Sequence, residues 1–188
     1  MSWLFRMILL SALALTGACT MEGAINRMTS AEDRAFALGF VDDVRRGNAE
    51  RLEPLFDPEL WAKSKDQLPQ ARTLFPPGKG ETKLVSYHFE TNLTDGSRDT
   101  RKDYVLVTTD RTHWTRTRLI TRATNGPARI VEWNVEGLGE PPPELKLYET
   151  MEEAAPWIQG VALLLFLGAV ALVWWLVRRS RRSAAERP

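Results

Sequence analysis

The chain has 188 residues, 44% hydrophobic and 26% charged, which suits one ordinary domain with appendages and excludes disorder along most of its length. Its 25 Lys+Arg and 24 Asp+Glu nearly cancel, but residues 20–156 carry 19 basic and 23 acidic groups while residues 178–188 carry five Arg and one Glu. The body is therefore mildly acidic, which excludes an extended nucleic-acid footprint, and one cysteine with two histidines excludes a disulfide framework or a Cys/His zinc cluster, so no metal or cofactor is expected.

The first residues, Met1-Ser-Trp-Leu-Phe-Arg6, lead into the apolar stretch 7–15 and end on the small residues Thr16-Gly17-Ala18. This pattern predicts a secretory signal peptide over 1–18, too short for a span that needs about 20 apolar residues. Cys19 follows Leu15-Thr-Gly-Ala18 directly and resembles the lipobox of bacterial lipoproteins, although Thr16 stands where that motif has Leu. The resemblance implies that Cys19 is acylated as the mature first residue; plain signal cleavage is the other outcome. Residues 19–29 are read as an N-terminal tether.

Thr29-Ser30-Ala-Glu32-Asp33 offers a capping box, and Phe36, Ala37, Phe40, Val41 and Val44 form one apolar helical face that ends at Gly47. Asn48 starts a second short helix with Leu52, Leu55 and Phe56. Asp57-Pro58-Glu59 caps a third, with Leu60, Trp61 and Leu68 as its buried positions, and Pro69 and Phe75-Pro-Pro-Gly78 close the helical part.

Four strands follow, at 83–92, 100–108, 113–122 and 128–136, separated by turn residues, which predicts an antiparallel meander. With two-residue loops at Asp95-Gly96 and Asp110-Arg111 and a three-residue loop at 124–126, Tyr87, Tyr104, Thr117 and Trp133 fall in one row. Val85, Phe89, Leu106, Leu119, Val131 and Val135 surround that row, so this face is expected to pack on the helices. The other face carries the row His88, Asp103, Arg118, Glu132, the pair Glu90 and Arg101, and the apolar Trp114, Ile120 and Ile130.

Residues 139–156, with Pro141-Pro142-Pro143 and several Glu, are expected to form a stiff acidic stalk. Trp157 to Val177 contains no charge over 21 residues, about 31 Å as a helix, and predicts a single membrane span. Residues 178–188 form a basic tail, and the rule that positive charge stays inside puts it in the cytoplasm with the domain outside.

Helices followed by a meander, with no alternation between them, read as α+β. The run Ala35-Phe36-Ala-Leu38-Gly-Phe40-Val41, then Arg46-Gly47-Asn48, Leu52 and Leu55-Phe56-Asp57-Pro58-Glu59-Leu60, resembles the NTF2-like (SnoaL-like, cystatin-like) superfamily over about residues 30–138. That resemblance implies a cone of helices on a curved four-stranded sheet. In enzymes of the superfamily the cone holds an Asp, Glu or His as general base. Here the inward strand face offers Tyr87, Tyr104, Thr115 and Thr117 as its polar groups, and Asp42 and Asp43 fall off the apolar helix face.

Tyr87, Tyr104, Thr117 and Trp133 can line a ligand pocket or be packed core. His88 beside Asp103 can be an acid–base dyad, but no nucleophile shares the row, and a cross-strand charge ladder is the plainer reading. Trp114, Arg116, Arg118, Ile120 and Ile130 make the outer face the candidate interface. The expected function is thus a binding or accessory module, tethered by one span in a bacterial inner membrane with its domain in the periplasm or outside. Its partner is an envelope protein or a second copy of the chain, with no nucleic acid involved. The alternative is a SnoaL-like small-molecule isomerase or hydrolase using the cone.

Overall fold

A computed structural model describes residues 20–78, 80–94 and 96–185. The segment expected to be a signal peptide and Cys19 lie outside the described residues. The chain divides into two units, residues 25–149 and residues 1–24 with 150–188.

Residues 21–28 form helix α1 (Met21–Met28), where a tether was expected. Helix α2 (Ala31–Arg46) starts as its capping residues require: Ser30 is extended and its hydroxyl accepts from the Asp33 N–H at 3.0 Å. It stops at Gly47, whose φ of 68° places it in the left-handed region that a residue without Cβ adopts at no steric cost. Ala37, Phe40, Val41 and Val44 are buried. Helix α3 (Ala49–Leu52) runs into a 3₁₀ turn (Glu53–Leu55), and Asp57 caps helix α4 (Pro58–Ser64) by accepting from the Glu59 and Leu60 N–H groups. Of the three side chains expected to be buried here, Leu68 is buried while Leu60 and Trp61 are half-buried. Pro69 does not end the helical part. It sits in the first turn of helix α5 (Leu68–Thr73), where a missing N–H costs no hydrogen bond.

Strands β1 (Glu81–Thr94), β2 (Ser97–Thr109), β3 (Trp114–Thr124) and β4 (Arg129–Leu138) form one antiparallel sheet in sequence order, so β1 and β4 are its edges. The β1–β2 register follows the two-residue loop, pairing Tyr87 with Tyr104. The β2–β3 loop is longer than expected. Asp110 Oδ1 accepts from the N–H groups of Thr112 and His113, Arg111 takes a φ of 78°, and Thr109 pairs with Trp114. The register therefore moves by two residues. Because strand faces alternate with period two, every β3 side chain stays on its expected face while its neighbours change. Leu119 takes the place expected for Thr117, giving the inner row Tyr87, Tyr104, Leu119, Trp133, and Ile120 takes the place of Arg118 in the outer row.

Two bulges correct the faces further. One, between Leu84 and Ser86, takes Val85 out of the inner alternation and puts Leu84 opposite Leu106. The other skips Val131, so Ile130 pairs with Thr121 on the inner side and is 0% exposed, while Val131 is 39% exposed. Ile130 is thus removed from the outer face. Phe56 also forms a parallel bridge to Ile130, and the Asp57 N–H donates to the Ile130 carbonyl at 2.9 Å.

The core lies between the inner sheet face and the helices. Phe40, Phe56 and Trp133 meet there in edge and tilted contacts with centroids about 6 Å apart, and the Trp133 indole N–H donates to Ser64 Oγ at 2.8 Å. At the far end of the same face Phe89 is 47% exposed, beyond the cover expected of the helices.

Residues 143–149 are not part of an extended stalk. Helix α6 (Pro143–Ala185) begins there, and Leu145 and Tyr148 are buried. Glu144 pairs with Arg116 at 2.7 Å, and Lys83 Nζ stands 5.9 Å from the Tyr148 ring centre. Lys83 and Arg116 flank Val107 on the outer face, so the first two turns of α6 are fastened to the sheet's outer side. In the second unit α6 continues with Trp157, Leu164 and Leu165 exposed, and this helix is long and apolar enough to cross a membrane.

Candidate functional site

The inner face carries one carboxylate that sequence reasoning treated only as part of a cap. Asp33 stands in the first turn of α2, where acidic side chains favour the helix dipole, and its carboxylate turns toward β1 and β2. Lys102 Nζ donates to both its oxygens, at 2.6 and 2.8 Å, Tyr104 Oη donates at 3.2 Å and Tyr87 Oη at 3.4 Å. The two tyrosine rings are 5.3 Å apart, and Phe36 packs 6.2 Å from Tyr104. Lys102 could have been found by parity, since it lies two residues before Tyr104 and so points to the same face.

Burial pushes the Asp33 carboxyl up, but the hydrogen bonds from Lys102 and Ser30 and the Lys102 charge outweigh it and hold the group below the ordinary carboxylate range. The same carboxylate acts on its tyrosine partners. Burial first, and then the Asp33 charge, push the Tyr87 phenol up to about 12 and raise Tyr104 as well. The cluster at neutral pH is a carboxylate, an ammonium and two neutral phenols that donate. A carboxylate neutralised in this way is a weak base, and phenols committed to it are poor donors to anything else.

Thr117 is buried on the inner face between Leu106 and Val135, and Trp133 is half-buried and held by Ser64. Trp133 does line a shallow cleft of about 260 Å³ with Gln67, Gln70, Leu74 and Val135. Tyr87, Tyr104 and Asp33 do not line it.

On the outer face His88 and Asp103 are directly opposite but do not form a dyad. His88 Nε2 shares a hydrogen bond with Glu90 at 2.9 Å, while Asp103 is held by Arg118 at 2.6 to 3.2 Å. That bidentate contact raises the Arg118 guanidinium. Asp99 binds Arg122 in the same manner. Ile120 is only 1% exposed although it faces outward, and it forms the floor of a groove of about 340 Å³ walled by Glu90, Arg101, Arg122, Val131 and Glu132. Trp114 and Arg116 are half-buried, and Arg116 is committed to Glu144. Of the five residues expected at an interface, Ile130 is internal and Arg118 remains partly open in its ion pair.

A third cleft, about 670 Å³, lies where α2 ends, bounded by Arg45, Arg46, Arg72, Phe75, Pro76 and Gly78. Arg45 spends its donors on the Gly78 and Gly80 carbonyls, and Arg46 pairs with Asp42 at 2.7 Å. Asp43, although it falls off the apolar helix face, is buried and bound by Asn48 and Arg51. Among the described residues, no group of three or more His, Cys, Asp or Glu side chains is placed to hold a metal.

These features define an α+β domain with an open four-stranded antiparallel sheet and a long apolar C-terminal helix. The chain matches no protein-family profile, no curated protein and no solved structure.

Proposed function

We propose that this chain is a membrane-tethered, non-enzymatic binding module with an NTF2-like domain. The observation that carries this reading is the state of Asp33. Its carboxylate turns to the inner face, and Lys102 and two tyrosines occupy it. Element order supports the NTF2-like assignment. The proposal keeps residues 1–18 as an export signal, Cys19 as the acylated first residue, and α6 as a single span of the inner membrane with the domain outside and Arg178–Arg182 inside. Partner contact runs through the outer sheet face beside Val131 and Ile120 and along the β1 margin of the sheet.

One observation favours the isomerase or hydrolase reading: a carboxylate and two phenols on one inner face are the parts such chemistry uses. A photo-crosslinker at Val131 in native membranes, followed by mass spectrometry, tests the two together. Adducts to a distinct protein or to a second copy support the module. No adduct, together with turnover of a metabolite pool that Asp33→Asn abolishes, overturns it.

A further inference from the structure

We infer that two copies of this chain pair edge to edge through β1, antiparallel, about a two-fold axis at Phe89. This deepens the binding-module reading and rests on it.

The sheet is open at both margins, but not equally. At β4 the chain covers its own edge in part, through the Phe56 bridge and the Asp57 hydrogen bond to Ile130. The other margin, β1, is 14 residues long, contains no proline, and pairs within the sheet only with β2. Long edges without proline or cover are templates for a further strand. Along this edge residues 88–90, 92 and 93 are exposed, with Phe89 at 47% and Leu93 at 77%.

The register decides which backbone groups are free. A two-residue hairpin loop closes on a hydrogen-bonded pair, here Thr94 with Ser97, and such pairs alternate along the ladder. Residues 88, 90, 92 and 94 therefore direct their N–H and C=O toward β2. Residues 87, 89, 91 and 93 direct theirs outward. The close approach of the Thr91 and Thr100 hydroxyls, 3.5 Å, fits the side-chain spacing of a non-hydrogen-bonded pair at that position.

A second β1 placed on this edge with its axis at Phe89 pairs Phe89 with Phe89 and Tyr87 with Thr91, all through outward-directed backbone groups. The intervening non-hydrogen-bonded pairs, where side chains come closest, are His88 with Glu90 and Ser86 with Asn92. Each is complementary, and each occurs twice by symmetry. His88 and Glu90 already hydrogen-bond within one chain at 2.9 Å, so both side chains lie on one face and reach each other. On the opposite face the two exposed Phe89 rings would cover one another. Moving the axis one residue to Glu90 would set two carboxylates face to face. Moving it to Thr91 loses both the His88–Glu90 and the Phe89–Phe89 pairs.

The test uses the full-length chain in membranes, where Cys19, acylated in the reading above, offers no competing thiol, and the chain without an added cysteine is the control. In an on-axis hydrogen-bonded pair the Cα atoms are about 5.5 Å apart, within disulfide range, whereas residue 91 is about 14 Å from its symmetry mate. Phe89→Cys should give a disulfide-linked dimer under mild oxidation, and Thr91→Cys should not. Adding Thr91→Pro to Phe89→Cys removes an outward N–H while sparing the β1–β2 ladder, and should abolish the dimer band. Absence of a dimer from Phe89→Cys, its survival with Thr91→Pro, or a stronger band from Thr91→Cys overturns the inference. A foreign protein captured at Val131 beside a monomeric chain would overturn this pairing and leave the binding-module reading in place.

Discussion

Asp33 and Lys102, separated by 69 positions in the chain, meet at 2.6 Å and tie the first turn of α2 to the middle of β2. The bond joins the helical layer to the sheet at the point where both tyrosine hydroxyls also converge.

Removing the cation alone should be worse than altering the carboxylate. Lys102→Met leaves a partly buried carboxylate with only neutral donors, and is expected to destabilise the domain by about 1–3 kcal/mol. Asp33→Asn keeps a polar group of the same shape and should cost less. Denaturant unfolding of the detergent-solubilised chain, followed by tryptophan fluorescence, measures both. A negligible cost for Lys102→Met would show that Lys102 is not a significant partner.

The same cluster sets a pH window. Asp33 is held below its ordinary value of 3.8, so its contribution is present above about pH 4 and is lost as pH falls through the depressed folded value. Tyr87 is raised from 10.0 to about 12, so its contribution is intact below pH 10 and is lost as pH climbs toward 12. Thermal midpoints should fall as pH drops below about 4 and again as it climbs past 10. Asp33→Asn should shrink both limbs without abolishing the acid one, since Asp99 and Asp110 are also held low by their own hydrogen bonds.

Trp133 and Glu132 are adjacent and face opposite ways. Trp133→Ala removes the ring between Phe40 and Phe56 and orphans the Ser64 contact, with an expected cost of about 3–5 kcal/mol. Glu132→Ala, whose nearest cation is Arg118 at 3.8 Å, should cost under about 0.5 kcal/mol. Similar losses from both substitutions would mean that the faces are assigned wrongly.

The start of α6 should behave as part of the domain. Leu145 is 2% exposed, and Leu145→Ala is expected to cost about 2–5 kcal/mol. Amide hydrogen exchange over 143–149 should be slow in the native chain and faster in Glu144→Gln, which breaks the pair with Arg116. Fast exchange in the unaltered chain would restore the picture of a detached stalk.

Local chemistry made much of this architecture legible in advance. Ser30, Gly47 and Asp57 mark helix ends because their side chains, or the lack of one, satisfy terminal backbone groups regardless of what lies beyond. The β1–β2 register follows from a two-residue turn, and the uncharged run after Trp157 declares an apolar helix by length alone. The tertiary structure alone decided the rest. Asp110 could close a two-residue or a four-residue loop, and the choice shifted Leu119 and Ile120 into the central rows. The bulge at Val131 reversed Ile130, because one extra residue inverts a period-two pattern and no single residue type demands it. Pro143 reads equally well as the end of an extended run or as a first helical turn, and the burial of Leu145 and Tyr148 selected the helix. Asp33 was visible only as a cap residue, because its partners lie on strands 54 to 71 positions away and a carboxylate's role is set by what folding brings to it.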